Sequence, residues 1–147
     1  MSFRTQAIGI ICAACGVAGG YLFSERTQTN LQGLEAPLVE IAVCGAQELE
    51  GTDYGFEVIE GLRTVEKQKV NVKNGASKTM RSRHLTGHAF DFMARYKKKL
   101  TWENAHYIPI AQAFITCSEK LRIPIIWGGE WAMQDMVHIE LDRKVYP

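Results

Sequence analysis

Residues 82–92, SRHLTGHAFDF, constrain this chain more than any other stretch, because they set two histidines, a glycine and an aspartate around one turn. Gly87 marks the turn, and the alternation that follows predicts a strand from His88 to Met93. Strand side chains alternate between faces, so Asp91 shares a face with Ala89 and points away from His88. His84 precedes the turn and is folded back by it toward Asp91. Near the carboxyl end, in VHIEL, His138 faces opposite to Val137, Ile139 and Leu141, on the polar side of a strand whose other side is core. His84, Asp91 and His138 are therefore candidate ligands. Two imidazoles, one carboxylate and an open fourth position describe a catalytic zinc site. A histidine or aspartate at a turn is also commonly a cap or a solvated polar group, and spacing alone leaves both readings open.

The rest of the chain predicts one α+β domain. LEAPLVEIAVCGAQELE, with Leu34, Leu38, Ile41 and Leu49 at helical spacing, predicts a helix after a polar linker, SERTQTNLQG. YGFEVIEG reads as a strand closed by Gly61, and Thr64 caps a helix from Val65 to Lys73 that stops at Asn74-Gly75. A long helix spans residues 103–121, with Pro109 shortening or kinking its start. IPIIWGG and MVHIEL are two strands joined by the loop EWAMQD. Without a regular βαβ rhythm, a small antiparallel sheet with flanking helices is expected rather than a doubly wound one.

Residues 7–23, AIGIICAACGVAGGYLF, are seventeen positions without a charge, preceded by Arg4 and followed by Ser24-Glu25-Arg26. As a helix they would be ~26 Å long, slightly short of a ~30 Å hydrocarbon core. Four glycines weaken such a helix as a buried globular element. The positive flank and the uncharged run predict an uncleaved signal anchor over residues 1–23, holding a domain of residues 24–147 outside the cytoplasm. A cleaved signal peptide is the alternative. The segment is a weak anchor, because eight of its residues are glycine or alanine. Gly16 and Gly20 also suit close helix–helix packing.

Apart from Arg4, the chain carries 16 basic and 16 acidic side chains, so it lacks the electrostatic footprint of a nucleic-acid binder. Lys97-Lys98-Lys99 reads as a solvated loop. Cys12 and Cys15 have a redox-motif spacing within an apolar run, while Cys44 and Cys117 fall in helices as core residues. An oxidising compartment permits pairing among any of the four.

SRHLTGHAFD resembles the Ser-x-His-x-x-Gly-x-Ala-x-Asp motif of the zinc peptidases that cut bacterial cell-wall peptides. That family includes D-alanyl-D-alanine carboxypeptidases of the vancomycin-resistance type and phage L-alanyl-D-glutamate endopeptidases. WGGEWAMQDMVHIEL is similar to the second motif of the phage enzymes, and FEVIEGLRT and GASKTMRSRH to the sequence between their first helix and the metal motif. The similarity runs from about residue 24 to residue 141. It implies a hedgehog/DD-peptidase-like fold, one zinc ion on His84, Asp91 and His138, Asp135 as general base, and Arg63 on the substrate carbonyl or the developing oxyanion.

The resemblance further implies a phage-encoded endolysin that hydrolyses the L-Ala–D-Glu bond of peptidoglycan stem peptides, with a D-Ala–D-Ala carboxypeptidase as the alternative. Asp135 stands where many relatives have glutamate, one methylene longer, and its other reading is a cap on the following strand. Arg63 has a surface salt bridge as its other reading. Ser82 is expected to hydrogen-bond near the ligands, Trp127 and Trp131 to line the cleft or the core, and His88 and His106 to be structural. Residues 7–23 are similar to signal-arrest-release segments, which implies an inner-membrane protein that later becomes a periplasmic monomer. Hedgehog-type binding without catalysis, and a thiol-redox role for Cys12 and Cys15, are the other classes.

Overall fold

The computed structural model describes residues 23–147. Except for Phe23, the expected anchor lies outside the described residues, as do Cys12 and Cys15. No helix among the described residues is long and apolar enough to cross a membrane.

The segment read from sequence as a polar linker is instead a short helix, α1 (Glu25–Asn30). Ser24 caps it, its hydroxyl accepting from the Thr27 N–H at 3.2 Å. The polar side chains of α1 serve strand β1 (Tyr54–Glu60). Thr27, 1% exposed, accepts from the Val58 N–H at 3.0 Å, and Asn30 Nδ2 donates to the Val58 carbonyl at 2.8 Å. These bonds satisfy backbone groups on an edge strand that no neighbouring strand among the described residues reaches. Phe23 packs its ring on Phe56 of β1, 6.0 Å between centroids.

Helix α2 (Ala36–Glu48) carries Pro37 in its first turn, where the missing N–H costs nothing, and buries Leu38, Ile41 and Ala42. Helix α3 (Val65–Lys73) starts and stops where its cap and Asn74-Gly75 predict, with the Thr64 hydroxyl accepting from the Lys67 N–H at 3.2 Å. Helix α4 (Asn104–Leu121) runs on through Pro109 and buries Tyr107, Ile110, Phe114 and Cys117. A disulfide between Cys44 and Cys117, Cα atoms 5.9 Å apart, ties α2 to α4 across 73 residues of sequence.

The sheet is antiparallel throughout, in the order β1–β2–β5–β4. Its centre is β2 (Ala89–Tyr96), longer than the strand expected over 88–93. β3 (Lys99–Thr101) pairs with the far end of β2, while β4 (Ile125–Trp127) and β5 (His138–Leu141) complete the other side. Of the lysine triplet, Lys97 and Lys98 form the hairpin turn with positive φ and Lys99 opens β3 rather than lying in a loop. Alternation on the two central strands sends Phe90, Phe92, Ile139 and Leu141 into the core under α2 and α4, all fully buried. Phe114 meets Phe56, Phe90 and Phe92 edge-on at 4.9–5.6 Å. The intervening residues of the same strands form the other face, which carries the site.

Candidate active site

Strand register assembles one row of this face. Glu60 of β1 pairs with Asp91 of β2, which pairs in turn with His138 of β5. Directly opposed residues present their side chains on the same side, so a carboxylate, a second carboxylate and an imidazole stand in line. The third candidate ligand arrives from a 3-10 turn, Arg83–Thr86, immediately before β2. The Ser82 hydroxyl caps that turn, 3.4 Å from the His84 N–H, which is the local role expected for it. Gly87 ends it with φ +74°, a conformation costly for any residue with a side chain, and an added β-carbon would lie 2.5 Å from the Gly33 carbonyl oxygen. This turn brings His84 back over Asp91.

The geometry of the three side chains is specific. His84 Nε2 lies 3.2 Å and His138 Nδ1 3.1 Å from the same oxygen, Oδ1 of Asp91. The far nitrogen of each ring faces an acceptor: His84 Nδ1 the Gly61 carbonyl at 2.9 Å, and His138 Nε2 the Glu140 carboxylate at 3.0 Å. A carbonyl and a carboxylate only accept, so each far nitrogen carries the proton of the neutral ring. The near nitrogens then present lone pairs to an anionic oxygen. That arrangement calls for a cation among the three groups, or for a second proton on each ring. One nitrogen from each histidine and one Asp91 oxygen lie within 4.8 Å of one another, and both histidines are buried. The donor set therefore fits a metal ion.

Charge responds to this crowding. With a second proton on each ring in place of a cation, burial would still raise the Asp91 pKa, but hydrogen bonds from His138 and His84 outweigh it and hold the carboxyl well below the usual range. Burial alone would lower the His138 pKa, and Asp91 with Glu140 reverses it, pushing the ring up to about 9. Asp135 moves the opposite way to Asp91: burial and then the Asp91 charge push its carboxyl up.

Asp135 sits half-buried at the end of the loop that leads into β5, its backbone tied to Gly128 by an N–H···O bond of 2.9 Å. A β-carbon on Gly128 would meet the Asp135 carbonyl oxygen at 2.5 Å and His138 Cβ at 3.2 Å, so glycine there lets this loop close onto the ligand strand. The neighbouring Val137 backbone N–H offsets part of the rise in the Asp135 pKa. Trp131, 38% exposed, lies over His138 with ring centroids 5.1 Å apart. Trp127 is partly buried against the core and donates its indole N–H to the Met136 carbonyl at 2.9 Å.

Arg63 is not a surface ion pair. Its side chain is 9% exposed, Nε donates to Glu60 Oε1 at 3.1 Å and Nη1 to Gln68 Oε1 at 2.7 Å. Nη2 bonds Glu60 Oε2 and lies 3.8 Å from Asp91 Oδ2. Gln68, fully buried on α3, is fixed in turn by the Ser77 hydroxyl and the Thr79 carbonyl. The His88 ring bonds locally, to Thr86, and the His106 ring stacks on Tyr96 at 4.3 Å, so neither joins the site. Cys44, Glu48 and Cys117 also cluster, but both sulfurs are committed to the disulfide.

Reading by residue type passed over Glu140, Glu60 and Gln68. The signal for Glu140 was present, since the alternation that puts His138 on the polar face of HIEL puts Glu140 there too. Glu60 and Gln68 become visible only through strand register and the docking of α3.

Residues 19–147 match the family model described as phage L-alanyl-D-glutamate peptidase. The chain belongs to that family. It is accordingly an enzyme, a peptidase of the cell-wall class. It is 27% identical over 130 residues to the L-alanyl-D-glutamate peptidase of Escherichia phage T5, covering 86% of this chain and 93% of that one. It is 38% identical over 95 residues to the L-alanyl-D-glutamate peptidase of Listeria phage A118, covering 63% of this chain and 33% of that longer relative. The crystal structure of the Serratia marcescens L-Ala D-Glu endopeptidase ChiX superposes with a TM-score of 0.79 at 37% identity, covering 85% of this chain and 92% of that one.

Proposed function

We propose that the chain is a phage endolysin that hydrolyses the L-Ala–D-Glu bond of peptidoglycan stem peptides, with one zinc ion held by His84, Asp91 and His138. The observation that carries this reading is the convergence of one nitrogen from each imidazole on one Asp91 oxygen, with both far nitrogens facing acceptors. Two nitrogens, one carboxylate and an open fourth position suit zinc, whereas magnesium and calcium favour oxygen donors throughout. Bound there, zinc supplies a Lewis acid that lowers the pKa of water to about 7 and polarises a carbonyl.

The chain's own residues supply the rest. The Asp135 carboxylate takes a proton from the attacking water and returns it to the leaving amine, and its raised pKa suits both transfers. Glu60 and Gln68 hold the Arg63 guanidinium edge-on to Asp91. Its remaining N–H groups are donors for the substrate carbonyl oxygen as negative charge develops there. Trp131 walls the cleft beside His138 and keeps water from the peptide.

Digestion of purified peptidoglycan with and without chelator, followed by mass spectrometry of the muropeptides, tests the proposal. New D-Glu amino termini that vanish with chelator are expected. Loss of the terminal D-Ala alone would replace this reading with a D,D-carboxypeptidase, and no product from folded, zinc-loaded protein would replace it with a binding domain.

Residues 1–23 are assigned to a membrane anchor and 24–147 to the peptidase unit, which acts as a monomer in the periplasm once released. The uncharged run behind Arg4 supports the first part, and the Ser24 cap at the start of the described fold supports the boundary. Fractionation with intact-mass measurement should find the full-length chain first in the membrane and later in the periplasm. A soluble form beginning near residue 20 would mean cleavage instead.

A further inference from the structure

We propose that Glu140 and Arg143 form a positioning pair that fixes the ring of His138 for metal binding. The inference rests on the metal-peptidase reading above. Glu140 lies two residues beyond His138 on the same face of β5, and its side chain is 5% exposed. One carboxylate oxygen, Oε2, is 3.0 Å from His138 Nε2, and the other, Oε1, accepts from Arg143 Nε at 3.1 Å. Arg143 is more than half exposed at the rim, so it reaches the ligand only through Glu140.

An imidazole on a strand has two ring orientations, related by a half-turn about its bond to Cβ, and two neutral tautomers. Only one of the four combinations places a lone pair on Nδ1 toward Asp91 and an N–H on Nε2 toward Glu140. A carboxylate at Nε2 selects that combination and also raises the donor strength of Nδ1. Anchoring the second carboxylate oxygen on Arg143 stops Glu140 from rotating away. His84 is held differently, by the backbone carbonyl of Gly61. A carbonyl selects a tautomer but brings no charge, so the two histidines are tuned unequally and only His138 has a side-chain pair devoted to it.

An ordinary buried ion pair would stabilise the fold with or without metal, whereas a positioning pair acts on metal affinity. The test is chelator-competition titration of zinc on the full chain and on Glu140→Gln, Glu140→Leu, Arg143→Leu and the Glu140→Leu/Arg143→Leu double variant. The thermal midpoint of each metal-free protein is measured alongside. Glu140→Leu is expected to weaken zinc binding by about 10- to 100-fold. Glu140→Gln, whose amide oxygen still accepts from Nε2, should recover part of that loss. Arg143→Leu should have a smaller effect that disappears in the Glu140→Leu background. In 15N-labelled, zinc-loaded protein the Nε2 proton of His138 should be protected in the parent and exchange rapidly in Glu140→Leu.

Unchanged zinc affinity in Glu140→Leu, or an Arg143→Leu effect that persists without Glu140, overturns the proposal. If Glu140→Leu does not fold, unchanged affinity in both Glu140→Gln and Arg143→Leu overturns it. A parent chain that binds no zinc removes the metal reading and this inference together, whereas tight parental binding that the variants retain removes this inference alone.

Discussion

The two faces of β2 and β5 are built from alternate residues of the same strands, yet they are held by different physics. On one face Phe90, Phe92, Ile139 and Leu141 are fully buried beneath helices joined by a disulfide. Each such side chain contributes about 1.5–3 kcal/mol by leaving water. On the other face Asp91, His138, Glu140, Glu60 and Arg63 are also largely withdrawn from water, and every one needs a charged or hydrogen-bonding partner to remain so. Removing a partner there leaves a buried charge uncompensated, so each polar group is as dependable as its neighbours. The apolar face makes the fold, and the polar face is held in register by it.

If that division is right, the largest effects on function come from the polar face. His84→Ala, Asp91→Ala and His138→Ala should each lose zinc and hydrolysis together, because two remaining protein ligands do not hold the ion in a preformed site. Metal analysis of the purified variants checks this, and full zinc occupancy in two of the three would remove the ligand assignment. Asp135→Asn should keep zinc and lose turnover by on the order of 10²- to 10⁴-fold, since the amide does not accept the proton. Parental lysis rates on chloroform-treated cells would assign the base elsewhere.

The apolar face should respond in stability first. Phe114→Ala empties the centre of the aromatic cluster and should cost about 3–5 kcal/mol in urea unfolding, with zinc affinity of the folded fraction unchanged. Reducing the Cys44–Cys117 disulfide should cost about 2–4 kcal/mol by the same measurement. Loss of zinc affinity at an unchanged unfolding midpoint in either case would break the division between faces.

The smallest effect sharpens the comparison through pH. Burial raises the Glu60 pKa, but Arg63 and Lys67 overcome it and hold it below the ordinary glutamate value. A depressed carboxyl contributes stability that is full above its unfolded pKa, about 4.3, and lost as pH falls through the folded value. Glu60→Gln should therefore be about 1–3 kcal/mol less stable near pH 7. The gap to the parent should close as pH drops below the usual glutamate range, and a gap independent of pH would show that Glu60 acts by shape rather than charge.

What was legible in the sequence followed from periodicity and from side chains with distinctive chemistry. Thr64, Asn74 and Gly75 bounded α3, and alternation in VHIEL placed His138 opposite Ile139. His84, Asp91 and His138, which the structure brings together, were singled out by the resemblance of two spaced motifs, since spacing alone left a capping role open. The misses have a common cause. In α1 the polar residues that read as linker are polar because they serve the edge of β1, as Thr27 and Asn30 do at Val58. The Cys44–Cys117 partnership depends on how α2 lies against α4. The burial of Arg63 depends on register with Glu60 and on Gln68 from α3. Each is a contact between distant segments, which local pattern does not encode.

The late position of β5 carries a consequence for synthesis. This strand inserts between β2 and β4, and it brings His138 to an aspartate 47 residues earlier in the chain. A ribosome that has passed Asp91 but not His138 has made His84 and Asp91 without the third member of their cluster. A chain stopped anywhere before β5 therefore keeps the apolar strand β2 but leaves Asp91 without the imidazole that faces it.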